Sequence, residues 1–485
     1  MRPEFVKMLA ATGDDRFERL AETLETTSPE VSVRLNPAKG GEDTSVAAMG
    51  ESRVRWWEGG MYLQARPRFT LDPALHQGRY YVQDASSMVT AAVARAISRA
   101  IKEETGGQDA IPLLWLDACA APGGKSTAAL DGLPAGSLVV ANEYDYGRAE
   151  ILKENIVKWG NPSTVITRGD TAQFRSLPPL FDVVAVDAPC SGEGMMRKDI
   201  TAREQWTPAL VEECCGRQRE ILSNLWDSLR PGGYLVYSTC TFNTSENELM
   251  VDWLRREYGA QSVDLRIEGV DDGEVSIDGI APTYAMRFIP GRTRGEGLFM
   301  AVMRKPGTLS PAITCAATAD KKKKMTAKGK HGKKTSSAAS PTVRDIATVT
   351  GWIDPGVASL HDIIPTSEGL RIFPRTWSWL LPMLLDKLQV ISAGVEAATI
   401  KGRDLLPTHG MALSTILSRY AFPTVEVDEA IAVDYLARET VTLPQGTPNG
   451  FVLLAFGGYP LGFVKNIGNR ANNLYPKEWR IRSKG

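Results

Sequence analysis

Histidine is scarce in this chain. The four residues, His76, His331, His361 and His409, lie far apart among 485. No Cys-x-x-Cys pair occurs either, so the ligand spacing of a zinc site is missing and no metal is expected. The six cysteines (Cys119, Cys190, Cys214, Cys215, Cys240 and Cys315) are scattered. In a chain this long they do not form a disulfide framework, and reduced thiols in a cytoplasmic protein are expected. No apolar run reaches bilayer-spanning length. The nearest, residues 377–391, is interrupted by Pro382 and Asp386. Residues 1–18 carry charges throughout and have no apolar centre, unlike a secretory leader. Net charge is only -1, so no global field draws the protein to nucleic acid, and any basic footprint is local.

What is present is ordinary for a globular protein, 43% apolar and 23% charged, with enough length for about three domains. Phe5, Met8, Leu9, Phe17, Leu20 and Leu24 are spaced for one helical face over residues 1–30. Residues 31–37 alternate as a strand stopped by Pro37. The alanine-rich residues 83–101 predict a helix. From 111 the pattern is α/β. Strands over 112–117, 137–142, 164–167, 181–186 and 234–238 alternate with helices that start near Lys125 and cover 146–159 and 214–229. Residues 231–233, Pro-Gly-Gly, form a turn into the last strand. This alternation implies a parallel sheet with both faces covered. Ligands of such sheets bind outside the carboxyl ends of the strands.

Residues 321–334 hold eight lysines and no acid. That composition reads as a solvated tether or as an electrostatic arm for phosphates. Residues 346–425 look mixed, with an apolar helix around 377–390. Residues 430–485 look β-rich, with strands over 450–456 and 461–464. The last stretch carries Lys465, Arg470, Lys477, Arg480, Arg482 and Lys484 against Glu478 alone, interleaved with Tyr459, Phe463, Tyr475 and Trp479. Basic residues mixed with aromatics suit RNA, whose phosphates they neutralise and whose unpaired bases they stack; a charged face on a small β-barrel has the same composition.

The chemistry-bearing residues gather at strand ends. Residues 117–127, DACAAPGGKST, run from a strand into a helix. Gly123 and Gly124 let the backbone approach a ligand, and the helix start supplies free N–H groups. The loop has neither dinucleotide nor Walker spacing. Glu143 ends the second strand, where an acid accepts from ribose hydroxyls. Asp170 follows the third strand, where an acid accepts from an adenine amino group. Cys190 follows Asp187 by three residues, and Cys240 ends the last strand. Two thiols beside a nucleotide-type cofactor point to thiolate addition at cytosine C6, which makes C5 a nucleophile toward a methyl sulfonium. Cys214, Cys215, Cys315 and, for the most part, Cys119 are expected as small buried hydrophobes.

DACAAPGGKST (117–127), DAPCSGEGMMRKD (187–199) and YSTCTFNTSENE (237–248) resemble the signature blocks of the RNA 5-methylcytosine methyltransferases, the Sun/NSUN family with its bacterial RsmF-type branch. VSVRLNP (31–37) and YYVQDASSM (80–88) resemble the family's N-terminal segment. LGFVKNIGNRANNLYPKEWRIR (461–482) resembles the PUA-like module of that branch. The resemblance implies an α/β fold, a Rossmann-like S-adenosylmethionine-dependent methyltransferase core with an N-terminal α+β extension and a C-terminal PUA-like β-rich module. It divides the chain into an RNA-binding extension (1–105), the core (106–305), a lysine-rich linker (306–345), a mixed region (346–425) and a PUA-like RNA-binding module (426–485). It implies S-adenosylmethionine bound by Cys119, Ala120, Ala121, Pro122, Gly123, Gly124, Lys125, Glu143, Asp170 and Asp187. It makes Cys240 the nucleophile and Cys190 the aid to release, with Asp187 and Lys125 completing the catalytic set. The expected substrate is a cytosine in 16S rRNA, or in the small ribosomal subunit, acted on by a monomer. The alternatives are transfer RNA, a non-catalytic RNA-binding assembly factor and a small-molecule methyltransferase.

Overall fold

The computed structural model describes residues 1–107, 109–270, 272–277, 280–309 and 341–483, so Cys315, Lys484 and the lysines of 321–334 lie outside it. The described chain forms two compact units. The first holds Met1–Trp159, Thr164–Leu309 and Lys387–Ile391, and the second holds the remaining described residues.

The first unit opens with α1 (Pro3–Ala11) and α2 (Leu20–Thr26). The single helical stretch expected over 1–30 is broken by Gly13, at φ +64, and by a 3-10 turn at Asp15–Phe17. Phe5, Leu9, Phe17, Leu20 and Leu24 are buried nonetheless. Next come β1 (Ser32–Leu35), α3 (Ser45–Ala48), β2 (Gly50–Arg53), β3 (Gly60–Leu63), α4 (Pro73–His76) and β4 (Tyr80–Val82). The strands make an antiparallel sheet ordered β2-β3-β1-β4. All four β1 residues are buried, so both faces of this strand are covered. Val33 and Leu35 enter the small sheet's own core. Arg34, on the other face, is fully buried, stacks 4.2 Å from the Trp159 ring, donates to Thr127 Oγ1 and Gln83 Oε1, and pairs with Asp131. The sheet is thereby held to the rest of the unit. α5 (Val89–Thr105) starts later than the expected residue 83, because a loop over 83–85 and a 3-10 turn (Ser86–Met88) come first.

The remainder is α/β: β5 (Leu114–Asp117), α6 (Gly124–Gly132), β6 (Leu138–Glu143), α7 (Tyr146–Trp159), β7 (Thr164–Arg168), β8 (Phe181–Asp187), α8 (Ile200–Gln205), α9 (Pro208–Leu225), β9 (Leu229–Thr239), α10 (Glu248–Tyr258), β10 (Gln261–Ser262), β11 (Asp272–Ile277), β12 (Ile280–Phe288) and β13 (Leu298–Arg304). Strands β7-β6-β5-β8-β9 run parallel. The chain winds outward from β5 to β7, then returns to β8 on the other side of β5. That reversal makes a crevice at the carboxyl ends of β5 and β8.

Three expectations need correction here. The sheet is not wholly parallel, because β13, β12 and β11 add antiparallel strands beyond β9. Residues 231–233 lie inside β9 rather than before it. The β8–β9 ladder shifts register there, and Gly232 takes φ +75 with its N–H bonded to the Lys305 carbonyl. α9 begins at Pro208, where Thr207 caps it by accepting from the Leu210 N–H, and ends at Leu225 in a 3-10 turn.

The second unit contains β14 (His361–Pro365) and β15 (Gly369–Pro374). A strand that starts in the 387–391 segment of the first unit, β16 (Val390–Ala393), extends the large sheet beside β7. With β17 (Val395–Lys401) and β18 (Asp404–Pro407), strands β14 and β15 form one antiparallel sheet. β19 (Thr424–Glu426), β20 (Gly450–Phe456), β21 (Tyr459–Asn466) and β22 (Ala471–Asn473) form another. The helix expected around 377–390 shrinks to Leu381–Lys387, with Pro382 in its first turn. Phe463 and Tyr475, read from sequence as bases' stacking partners, are core residues at 1% and 0% exposure. Phe463 packs on Phe422, and Tyr475 on Tyr435 and His409. Tyr459 and Trp479 are half-buried, while Arg470, Lys477, Arg480 and Arg482 are exposed. Among the described residues no helix is long and apolar enough to cross a membrane.

Candidate active site at the strand ends

A cavity of about 590 Å³ opens at the carboxyl ends of the parallel strands. Its size lies in the range that holds a nucleoside-sized ligand. Cys119, Glu143, Asp170, Asp187 and Cys190 all line it, drawn from the ends of β5, β6, β7 and β8.

The loop after β5 is tied down by backbone bonds. Ala118 N–H donates to the Ala185 carbonyl, and Ala120 N–H to the Asn142 carbonyl. The Ala121–Pro122 peptide is cis. Gly123 takes φ +107, a conformation that side chains rarely adopt, and a Cβ there would press within 3.2 Å of Leu152. Beneath the loop Asp117 is buried and accepts from Ser126 Oγ at 2.6 Å. Burial raises its pKa to about 6. Cys119 is half-buried, and burial with the nearby carboxylates pushes its thiol far above the ordinary range. It faces the cavity as an inert group.

Glu143 accepts from the Ala121 N–H at 3.3 Å and the Asp145 N–H at 3.0 Å, and lies 3.5 Å from Arg148. Asp170 caps a 3-10 turn by accepting from the Ala172 N–H at 2.7 Å. Sequence reasoning missed the far wall of the cavity, Arg217, Glu220, Ile221 and Asn224 of α9. Their 3- and 4-residue spacing marks one face of the helix already expected over 214–229, but nothing in the sequence says that this face meets the cavity. It also missed Tyr144, which is 74% exposed at the cavity rim.

The two cysteine loops leave β8 and β9 side by side. Asp187 pairs with Ser238 across the ladder, and its Oδ1 accepts from Ser238 Oγ at 2.9 Å. Its Oδ2 accepts from Lys125 Nζ at 2.8 Å. Burial works against the Lys125 charge, but the Asp187 carboxylate outweighs it and raises the lysine above its ordinary value. Cys190 Sγ lies 3.1 Å from Cys240 Sγ, and both are half-buried. That hydrogen bond, then burial, pushes the Cys190 thiol well above the ordinary range. Gly194 allows the loops to touch: its N–H donates to the Cys240 carbonyl at 2.6 Å, where a Cβ would collide with the same oxygen.

Two buried glutamates, which sequence reasoning passed over, brace these loops. Glu193, from the Cys190 loop, accepts from the N–H groups of Phe242 and Asn243 at 2.6 and 3.0 Å. Glu246, from the Cys240 loop, accepts from Ser191 N–H and Oγ at 3.1 and 2.5 Å and from Gln218. Cys214 and Cys215 are buried in α9, as expected of small apolar residues. Among the described residues no cluster could hold a metal ion.

The winding of the sheet with a cavity at its reversal is the fold of the S-adenosylmethionine-dependent methyltransferases, the class to which the matching family models assign the chain. Residues 108–304 match the family described as 16S rRNA methyltransferase RsmB/F. Residues 1–85 match the N-terminal domain of 16S rRNA methyltransferase RsmF, and 422–481 match the methyltransferase RsmF PUA domain. The ribosomal RNA small subunit methyltransferase F of Klebsiella pneumoniae (strain 342) is 30% identical over 438 residues, covering 88% of this chain and 84% of that protein. Its counterpart in Escherichia coli O81 (strain ED1a) is 30% identical over 471 residues, covering 92% and 89%. The solved structure of NSun6 from Pyrococcus horikoshii with SFG shares the fold, with TM-score 0.50 and 19% identity over 63% of this chain and 99% of that one. The chain belongs to the RsmB/F family of 16S rRNA methyltransferases, and it is an enzyme that methylates RNA.

Proposed function

We propose that this enzyme methylates C5 of a cytosine in 16S rRNA through a covalent bond between Cys240 and C6. The observation that carries the reading is the 3.1 Å approach of Cys190 and Cys240 beside Asp187 at the cavity. S-adenosylmethionine supplies an electrophilic methyl group when bound. Glu143 and Asp170 suit its hydroxyl and amino groups as acceptors, and the alanine-glycine loop from Cys119 to Lys125 leaves room for it.

Cys240 Sγ adds to C6, and the C5–C6 electron pair becomes available at C5. The C5–CH3 bond forms as the methyl leaves its sulfonium. Solvent takes the C5 proton, the C5–H electron pair re-forms the C5–C6 double bond, and the Sγ–C6 bond breaks with its pair returning to Cys240. Cys190 assists that release. The 3.1 Å between the two sulfurs lets Cys190 Sγ hydrogen-bond the Cys240 sulfur as negative charge returns to it on leaving C6. The Lys125 cation beside the site favours that negative charge. Asp187 accepts from the exocyclic amino group of the base and orients the ring.

The small-subunit substrate is taken over transfer RNA on the names of the relatives and the match to the RsmF PUA domain. We take residues 1–105 and 426–485 as RNA-binding flanks of a catalytic core over 106–305. One chain carries every site residue, so a monomer suffices, working where ribosomes assemble in the cytoplasm. Nuclease digestion and mass spectrometry of 16S rRNA and transfer RNA from a strain lacking the gene, each incubated with enzyme and labelled cofactor, tests the reading. Labelled 5-methylcytidine is expected in 16S rRNA; label confined to transfer RNA overturns the substrate.

A further inference from the structure

The first unit carries a second concavity of about 930 Å³ that shares no lining residue with the strand-end cavity. Five arginines line it. Arg53 and Arg55 come from the end of β2 and the turn after it. Arg95 and Arg99 stand one helical turn apart on α5, and Arg266 comes from the segment before β11. All five are exposed.

Three glutamates, Glu42, Glu58 and Glu268, share the lining, so cations exceed acids there although the whole chain is at -1. The pairing is uneven. Arg53 pairs with Glu42 at 2.6 Å, Arg266 with Asp264 at 2.8 Å, and Arg95 with Glu58 while lying 4.2 Å over the Trp57 ring. The side chains of Arg55 and Arg99 have no hydrogen bond or ion pair among the described residues. Trp56 and Trp57, at 7% and 5% exposure, are buried under the surface and offer no stacking platform.

These features select the occupant. A small anion needs donors that converge on one point, whereas these guanidiniums are spread around a wide, open trough. A polyanion with repeated phosphates suits that spread, since guanidinium matches phosphate in geometry as well as charge. With no exposed aromatic face, the contact reads backbone and not bases. We propose that this trough binds the sugar-phosphate backbone of the substrate RNA away from the target nucleotide, with Arg55 and Arg99 as its unpartnered phosphate contacts. The inference rests on RNA being the substrate and not on C5 chemistry.

The test measures binding of a 16S rRNA transcript to the full-length enzyme across a salt series. In Arg55→Glu/Arg99→Glu, affinity should fall roughly tenfold or more, and the salt slope should shrink by about 2, one per lost contact. S-adenosylmethionine affinity should not change. If it does, Arg55→Gln/Arg99→Gln replaces the reversal, with a smaller drop in affinity expected and the same loss of slope. Affinity and slope equal to wild type would overturn the proposal. So would loss of binding to 30S particles alone with transcript binding intact, which would assign the trough to an acidic protein surface. A wild-type enzyme that shows the arginine-dependent slope but makes no 5-methylcytidine would keep this inference and overturn the C5 reading.

Discussion

Glu246 accepts a hydrogen bond from the backbone N–H of Ser191, the residue after Cys190, at 3.1 Å. Glu193 returns the arrangement, accepting from the Phe242 N–H at 2.6 Å, two residues after Cys240. Each cysteine loop thus lends a buried carboxylate to the other's backbone, and the 3.1 Å between the thiols is set by this exchange. Glu246→Ala removes the acceptor of the Ser191 N–H and one of the two acceptors of the Gln218 and Asn243 amide groups, which keep Pro189 and Glu193. It should cost about 3 kcal/mol or more, since buried donors to a charged group lose their full desolvation cost. Urea denaturation reads the stability, and the rate at which diamide oxidises Cys190 and Cys240 to a disulfide reads the geometry. Both should fall in Glu246→Ala and recover partly in Glu246→Gln. Wild-type values in Glu246→Ala would remove the brace from the account.

Lys125 and Asp187 meet at 2.8 Å beside the thiols. Lys125→Met should lower kcat about 100-fold, the usual cost of one preorganised electrostatic donor, with little change in cofactor affinity. The lysine's raised pKa keeps it cationic through the neutral range, so the wild-type pH–rate profile should carry no limb from it there. A loss of cofactor binding as large as the loss of kcat would recast Lys125 as a cofactor contact only.

Lys39 is buried and donates to two neutral carbonyls, Gln77 at 2.9 Å and Lys158 at 2.6 Å. A neutral amine has two N–H groups for those two acceptors, and burial lowers the lysine to about 7. Between about pH 7 and the unfolded value of 10.5, the unfolded chain binds a proton that the folded chain does not. Stability from this group therefore rises with pH across that window, by at most about 1.4 kcal/mol per pH unit. Denaturation of wild type and Lys39→Met at several pH values should show that slope in the wild type alone. Parallel profiles would contradict it.

Arg34 and Asp131 form a buried ion pair beneath Trp159. Arg34→Ala should destabilise by about 3–5 kcal/mol, because a buried carboxylate loses its partner. Adding Asp131→Ala should cost less than the sum of the single changes, since one residue's removal already leaves the other without a purpose. Additive costs in a double-mutant cycle would mean the pair is not coupled.

How much of this was legible depends on range. Asp187, Cys190, Cys240 and the glycine loop were legible because each sits where a local strand signal stops. Arg34 was not, because alternation places it on an outer face, and only the sheet packed against that face makes it core. Phe463 and Tyr475 misled for the same reason: basic neighbours say nothing of which side of β21 or of the chain after β22 faces a core. β13 escaped because its antiparallel pairing to β9 joins residues some 60 positions apart, as Phe299 with Thr239, and β12 and β11 are placed in the sheet only through it. Glu193 and Glu246 were passed over, because their burial is visible only once the two loops are side by side.

The most direct test of the central claim incubates Cys190→Ala with 16S rRNA and S-adenosylmethionine, then runs a denaturing gel. If Cys240 attacks and Cys190 assists release, a slow-migrating protein–RNA band should accumulate, and it should vanish in Cys190→Ala/Cys240→Ala. A Cys190→Ala enzyme that turns over normally without such a band, or a band that survives loss of Cys240, would contradict the assignment.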